Sequence, residues 1–461
     1  MELSSLEVLS PLDGRYRSQM AEISNIFSEY SLIKHRVQIE CRWLLYLINS
    51  SLLPELNHIP ESDLVNLEKI LEKITYSFSL ADAQMIKNFE RTTQHDLKAV
   101  EYFIKQKLQE SGLSLYREFI HFGCTSEDIN NLAYALMLQE GVGLLFNTLS
   151  LFNQKLQSMS VQYAKQPMLA RTHGQAATPT TLGKEIANYH ARFSRQLKQI
   201  QEQDYLGKFG GAVGSFNAHA IAYPNIDWPK LAEGFVSSLG LSYNPLTTQI
   251  EPHDFIAEIA HNLFRINTIL IDFDRNIWGY ISLGYFSQKS VEGEVGSSTM
   301  PHKINPIQFE NSEGNLGIAN ALFSHMAEKL PISRFQRDLS DSTVLRNLGV
   351  ALGHSYLAYQ SSAAGLQKLQ ANPETMEEDL NNNPAVLTEA IQTLMRRYQQ
   401  DGAYEQLKNL SRGKEINLKS LHDFIRGLTI PTEDKKRLLE LTPATYLGWA
   451  SHLALVHRRQ G

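Results

Sequence analysis

Two short stretches place side chains that could do chemistry, paired serines and a histidine, beside glycine. Residues 296–306 read GSSTMPHKINP, with Ser297 and Ser298 after Gly296 and with Lys303 and Asn305 close behind. Backbone amides beside paired serines can hold an anion. Gly293 and Gly296 can act as hinges, while Pro301 and Pro306 stiffen the second half. On composition alone the same string is equally a surface turn. Residues 171–175 read RTHGQ and set His173 next to Gly174. An imidazole with its ordinary pKa of about 6.5 suits proton transfer, although a lone histidine is commonly structural.

Four further strings suit anion binding. In RTTQHDLKAVEYF, residues 91–103, Thr92 or Thr93 can cap a helix and place His95 in its first turn. Amides and dipole there favour an anion. In GCTSEDINN, residues 123–131, Thr125 or Ser126 can cap the helix beyond, with Asp128 in its first turn. The same hydroxyls can face a ligand. In DGRY, residues 13–16, Arg15 can meet an anion or a neighbouring carboxylate. In SRFQRDLSDSTVLRN, residues 333–347, Arg334, Arg337 and Arg346 are interspersed with Ser340, Ser342 and Thr343. That pattern suits phosphate, and equally a solvated charged face. No HExxH and no Cys/His cluster with ligand spacing occurs, so no metal is expected.

Such strings need rigid supports, and the pattern between them is helical. Apolar residues at Leu182, Ile186, Tyr189, Phe193, Leu197 and Ile200 step by three or four. A second face runs from Ile256 to Ile281, 26 residues or roughly 39 Å of helix. Others run from Ile129 to Leu156, from Val344 to Leu369 and, more weakly, from Asn315 to Leu330. Helices this long suit a bundle completed by other subunits. Strand signals are thin, and neither GxGxxG nor GxxxxGK[ST] occurs. Gly207, Gly210, Gly211 and Gly214 follow a helix end and read as a loop or short hairpin. Breaks divide the chain into residues 1–114, 115–366 and 367–461, three expected helical domains with the long helices in the second.

Composition bounds the partners. The 461 residues are 43% hydrophobic and 20% charged, so a folded protein is expected. Net charge is 43 − 49 = −6, which gives nucleic acid or an anionic membrane no overall attraction. Two cysteines, Cys41 and Cys124, with no CxxC, suit a reducing cytosol. The first residues lack a signal-peptide pattern, and no run of 18 apolar residues suggests a membrane span. A cytoplasmic location is expected.

Taken together, these strings resemble the fumarase/aspartase superfamily. Residues 296–306 match its signature GSSxMPxKxNP at every fixed position. Within it, DGRY, TTQHD, CTSEDINN, RTHGQ, TTQIEPHD (247–254) and RDLSDSTVLRN are similar to the bacterial branch of the adenylosuccinate lyase family. The resemblance implies an all-α subunit of three domains whose long helices form a 20-helix homotetramer core. It also implies active sites built by three subunits. The implied reaction eliminates fumarate from adenylosuccinate, giving AMP, and from the succinylated aminoimidazole carboxamide ribotide (SAICAR), giving AICAR. It needs no cofactor. By the same resemblance Ser297 is the base and His173 the acid. Lys303 and Asn305, with Ser298 and Ile304 beside them, meet the succinyl group, and Gln249 and Asn311 hold substrate. Arg15, Tyr16, Arg337, Ser342, Thr343, Val344, Leu345 and Arg346 match nucleotide- and phosphate-binding positions. Gln94, His95 and Asp96 match a ligand-contacting triplet, as do Thr125 and Ser126. Glutamine at 94 departs from the asparagine or arginine frequent in relatives.

Argininosuccinate lyase, aspartase and fumarase share the serine loop, but a substrate without phosphate needs no set such as Arg337 and Arg346. A catalytically silent scaffold would tolerate loss of the acid or base, whereas His173, Ser297 and Lys303 are all present.

Overall fold

The computed structural model describes residues 4–289, 300, 303–411 and 416–456. It is 67% helix and 4% strand, so the all-α expectation holds. The helices Ser126–Gln162, Leu182–Gln201, Asp254–Ser282, Ile307–Lys329 and Leu348–Lys368 carry the five apolar faces seen in the sequence. The spacing is obeyed in burial: Leu182, Ile186, Phe193, Leu197 and Ile200 are all buried, as are Ile256, Ile259, Leu263, Ile266, Ile269, Phe273 and Ile277. Two ends differ from expectation. The 307–329 helix starts eight residues before Asn315, directly after Pro306. The last long helix starts at Leu348, because Ser340–Leu345 forms a separate short helix before it.

The chain divides into two compact units. The first comprises Met1–Thr148, Lys198–Thr268 and Gly314–Ala358. Its core includes an aromatic knot, in which Trp43 lies 4.3 Å from Phe209 and 4.9 Å from Phe235 between ring centroids. The indole Nε1 donates to the carbonyl of Phe122 at 3.0 Å, so the buried ring keeps its polar handle satisfied. The knot anchors the turn that leads into Thr125. The second unit comprises Leu149–Leu197, Ile269–Glu313 and Tyr359–Gly461. Phe273 centres its core, 5.5 Å from Phe152, 5.2 Å from Tyr189 and 6.5 Å from Phe309. A separate apolar cluster, including Leu387, Ile391, Met395, Leu421 and Ile425, holds the short C-terminal helices together.

Among the described residues, Ser126–Gln162 alone is long and apolar enough to cross a membrane, with a mean hydropathy of 1.3 over 18 residues. Its buried polar residues mark it as a core helix instead. Asn131 Nδ2 donates to the Lys208 carbonyl at 3.0 Å, and Asn153 Nδ2 to Ser194 Oγ at 2.9 Å.

The strands are pairs of two or three residues. Leu206–Gly207 pairs in parallel with Ser242–Tyr243, so the first of the expected loop glycines lies in a strand. Arg171–Thr172 pairs antiparallel with Gln175–Ala176. RTHGQ is thus a β-hairpin, and the helix that follows begins at Leu182.

Asp274 is a buried acid in the second unit, 1% exposed, with Ser362 Oγ donating to its Oδ1 at 2.6 Å. Burial pushes its pKa well above the usual carboxylate range, and the Ser312 and Ser362 hydroxyls only partly oppose this. In the unfolded chain the group ionises near pH ~4. Its stabilising contribution is therefore whole below about pH 4 and declines as pH rises toward the folded-state pKa. Asp274→Asn removes that decline. The melting temperature of the variant relative to the parent should rise between pH 5 and pH 8. An equal deficit at both pH values would contradict a protonated Asp274.

Candidate active site

The candidate residues fall in both units. In the first unit, Asp128 lies in the opening turn of the 126–162 helix and is fully buried. Its Oδ2 accepts the Thr125 N–H at 2.8 Å and the Gly211 N–H at 3.1 Å, and its Oδ1 accepts the Gly210 N–H at 2.8 Å. Lys208 Nζ, also fully buried, pairs with Oδ1 at 2.8 Å and donates to the Gly211 carbonyl at 3.1 Å. One carboxylate thus locks the Thr125–Ser126 turn to the glycine loop. Gly123, just before this turn, has φ +71, and a Cβ there would lie 2.2 Å from the His219 ring. Only glycine fits that backbone and that gap.

The glycine loop passes the constraint onward. Gln249 Nε2 donates to the Ala212 carbonyl at 2.9 Å, and its Oε1 accepts from Arg337 NH1 at 3.2 Å. Arg337 NH2 donates to Glu127 Oε1 at 2.9 Å. The same Glu127 oxygen accepts Asn130 Nδ2 at 2.9 Å, and Asn130 Oδ1 accepts Arg36 Nε at 2.8 Å. Arg36 NH2 then pairs with Asp96 Oδ2 at 2.8 Å, and Asp96 lies 3.6 Å from Arg346 NH2. Arg346 NH1 reaches Glu29 at 2.8 Å. Burial works to raise the Asp96 pKa, but Arg36, the Leu97 N–H and Arg346 overcome it and hold the carboxyl below its usual range. A continuous polar chain therefore joins Gln249, Arg337, Asp96 and Arg346.

The short helix Ser340–Leu345 carries Ser342, Thr343, Val344 and Leu345, and Asp341 fixes it. The Asp341 Oδ2 lies 3.4 Å from His253 Nε2, and its Oδ1 accepts the Ser342 N–H at 2.6 Å. A cavity of about 190 Å³ beside Arg346 is lined also by Ser10, Asp13, Phe27 and Ser28. Arg15 is exposed, its guanidinium 5.9 Å from the Tyr16 ring.

One capping expectation is corrected. Thr92 and Thr93 end the preceding helix, Leu80–Thr93, and Gln94 terminates it in a left-handed conformation, φ 51. His95 itself caps Asp96–Glu110, its Nδ1 accepting the Lys98 N–H at 3.2 Å. Threonine is out of position because the preceding helix runs through Thr93, whose Oγ1 accepts the His95 N–H at 3.3 Å instead. Burial, reinforced by Glu40 and Asp128, pushes the Cys124 thiol well above its usual range.

In the second unit His173 and Gly174 form the tip of the hairpin, with φ +53 and +74. Two consecutive positive φ values match the two-residue turn that the right-handed twist of a hairpin favours. The imidazole is exposed. Lys303 and Ile304 are exposed and Asn305 half-buried, just before the 307–329 helix that carries Asn311. The Ile304 carbonyl accepts Gln288 Nε2 at 3.1 Å, and the Lys303 N–H donates to Met300 O at 3.0 Å. Ser297 and Ser298 lie outside the described residues. No group of acidic, His or Cys side chains with metal-holding geometry occurs among the described residues.

Several supporting residues were missed in the sequence: Arg36, Lys208, Glu127, Asp128 as a loop lock, and Asn130. Lys208 did carry a signal, since it is a lone cation among apolar and glycine neighbours, which calls for a buried partner.

Lys208→Met leaves the Asp128 carboxylate buried without this cation. Stability should fall by about 3–5 kcal/mol. Adding Asp128→Asn should recover part of the loss, read by thermal melts of all four proteins. Strictly additive losses would contradict the coupling.

Residues 14–320 match the family model described as Lyase, and residues 333–447 match that described as Adenylosuccinate lyase C-terminal. The adenylosuccinate lyase of Escherichia coli (strain K12) is 52% identical over 454 residues, covering 98% of both chains. That of Haemophilus influenzae is 53% identical over 455 residues, covering 98% of this chain and 99% of its own. Among solved structures, a fumarate lyase from Mesorhizobium sp. BNC1 superposes with a TM-score of 0.76 at 19% identity, covering 94% of this chain and 96% of its own. A 3-carboxy-cis,cis-muconate lactonizing enzyme from Pseudomonas putida gives 0.74 at 23%, covering 95% and 97%. These two likenesses establish the fold.

Proposed function

We infer that this chain, which belongs to the adenylosuccinate lyase family, eliminates fumarate from adenylosuccinate and from SAICAR by acid–base catalysis, a step of purine biosynthesis. The observation that carries the reading is the 52–53% identity to adenylosuccinate lyases along 98% of the chain.

Elimination requires removal of a proton beside a carboxylate. The resulting carbanion spreads charge onto that carboxylate, so fixed donors must already face it. Ser297 is assigned as the base and His173 as the acid that protonates the departing nitrogen. A serine hydroxyl is a weak base in water, and backbone amides or Lys303 must activate it as its loop closes. Lys303 and Asn305, with Ser298 and Ile304, are assigned to the succinyl group. The exposed position of His173 at the hairpin tip supports such a role, because it leaves the imidazole open to substrate.

Arg337 and Arg346 are assigned to the phosphate end, together with Arg15, Tyr16 and residues 342–345. Gln94, His95, Asp96, Thr125, Ser126, Gln249 and Asn311 complete the substrate set. Both arginines carry carboxylate partners, Glu127 and Glu29, which phosphate would displace or join. No cofactor enters this chemistry.

The reading includes a cytoplasmic homotetramer whose sites draw on three subunits. Leu151, Phe264, Trp278 and Ile318 on the long helices are exposed, 68%, 37%, 48% and 49%, which supports burial against further copies.

Ser297→Ala should lower turnover of adenylosuccinate by several orders of magnitude with substrate affinity nearly intact. Turnover near the parent value would remove Ser297 as the base. Mixed tetramers of inactive Ser297→Ala and His173→Ala subunits should regain part of the activity, because some sites then hold both native residues. No recovery in verified mixed tetramers would contradict shared sites.

A further inference from the structure

We propose that Asp379 and Glu389, both from the C-terminal segment, are positioning residues for His173. The proposal rests on the functional reading above, in that His173 is the group being positioned. A hairpin with two residues per strand cannot hold itself in water. Its backbone pairing is limited to Arg171↔Ala176 and Thr172↔Gln175, with one more bond from the Ala177 N–H to the Ala170 carbonyl at 2.8 Å. Residues 171–176 are exposed, so apolar burial does not fix the tip either.

Side-chain ties on both flanks supply what the strands lack. Two residues before His173, Arg171 NH2 donates to Asp379 Oδ2 at 2.6 Å and NH1 donates to the Tyr285 hydroxyl at 2.9 Å. The Tyr285 hydroxyl donates to the same Asp379 oxygen, which closes a three-membered ring of contacts. Asn383 Nδ2 in turn holds Asp379, reaching its carbonyl at 2.7 Å and its Oδ1 at 3.2 Å. Five residues after His173, Thr178 Oγ1 donates to Glu389 Oε2, and the Tyr446 hydroxyl donates to the same oxygen at 3.1 Å. The Arg171 and Asp379 side chains are only 27% and 23% exposed, so water screens their pair incompletely. The backbone repeats the pattern: helix Pro373–Asn381 packs on strand Pro167–Met168, and Ala450–Leu453 packs on Thr180–Thr181.

An acid misplaced by about 1 Å costs about a hundredfold in rate. The ties should therefore govern the chemical step and leave nucleotide binding alone. The test measures adenylosuccinate turnover and AMP affinity for Asp379→Asn, Glu389→Gln and the double variant, with assembly checked. The double variant should lose about tenfold or more in kcat. KM and AMP affinity should stay within about twofold, and Asp379→Glu should recover much of the loss in the single variant. Hydrogen exchange of residues 171–178 should quicken in step with the loss of kcat. An assembled double variant with parental kcat overturns the proposal, as does a parallel loss of kcat and AMP affinity. If the double variant does not assemble, Asp379→Asn alone decides by the same criteria. If the unmodified chain releases no fumarate, the functional reading fails by itself. The tie is then decided by exchange at residues 171–178, which needs no substrate.

Discussion

The buried pair of Asp128 and Lys208 is the constraint on which the first unit's binding residues depend. A carboxylate removed from water must be fully compensated, and this one is: three backbone N–H groups and one ammonium surround it. Because those donors come from Thr125, from the glycine loop and from Lys208, satisfying one charge fixes two loops at once. The glycine loop then holds Gln249, Gln249 holds Arg337, and the chain continues through Glu127, Asn130 and Arg36 to Asp96 and Arg346. The arginines assigned to phosphate are thus held by protein partners of their own, which lowers the entropy cost of ordering long side chains.

The second unit holds its candidate acid in another way. His173 sits on a turn with little backbone support and no apolar cover. Carboxylates from the C-terminal helices supply the missing rigidity through Arg171 and Thr178. The contrast follows from the chemistry assigned to each. A nucleotide pocket profits from buried, invariant geometry, whereas an acid that must reach substrate has to remain accessible.

The long helices were legible because their apolar spacing of three and four residues is dictated by helix geometry, and burial at Leu182–Ile200 and Ile256–Ile277 follows it. The family was legible because residues 296–306 and 171–175 are specific strings. The hairpin at RTHGQ was not, since strands of two residues are too short to show a period and His-Gly is not among the strong hairpin-turn pairs. The His95 cap was missed because threonine is the better cap by type. Which candidate caps the helix depends on where the preceding helix stops, and a left-handed Gln94 decided that. The Asp128 lock joins residues about eighty positions apart, a distance at which sequence pattern carries no pairing information.

The most direct measurement is the fate of adenylosuccinate mixed with the purified protein, followed by absorbance and by chromatography of the products. Argininosuccinate, aspartate and malate would be run in parallel. The account predicts fumarate and AMP in equal amounts from adenylosuccinate alone. Fumarate from one of the other three, with adenylosuccinate intact, would contradict the assignment of Arg337 and Arg346 to a nucleotide phosphate.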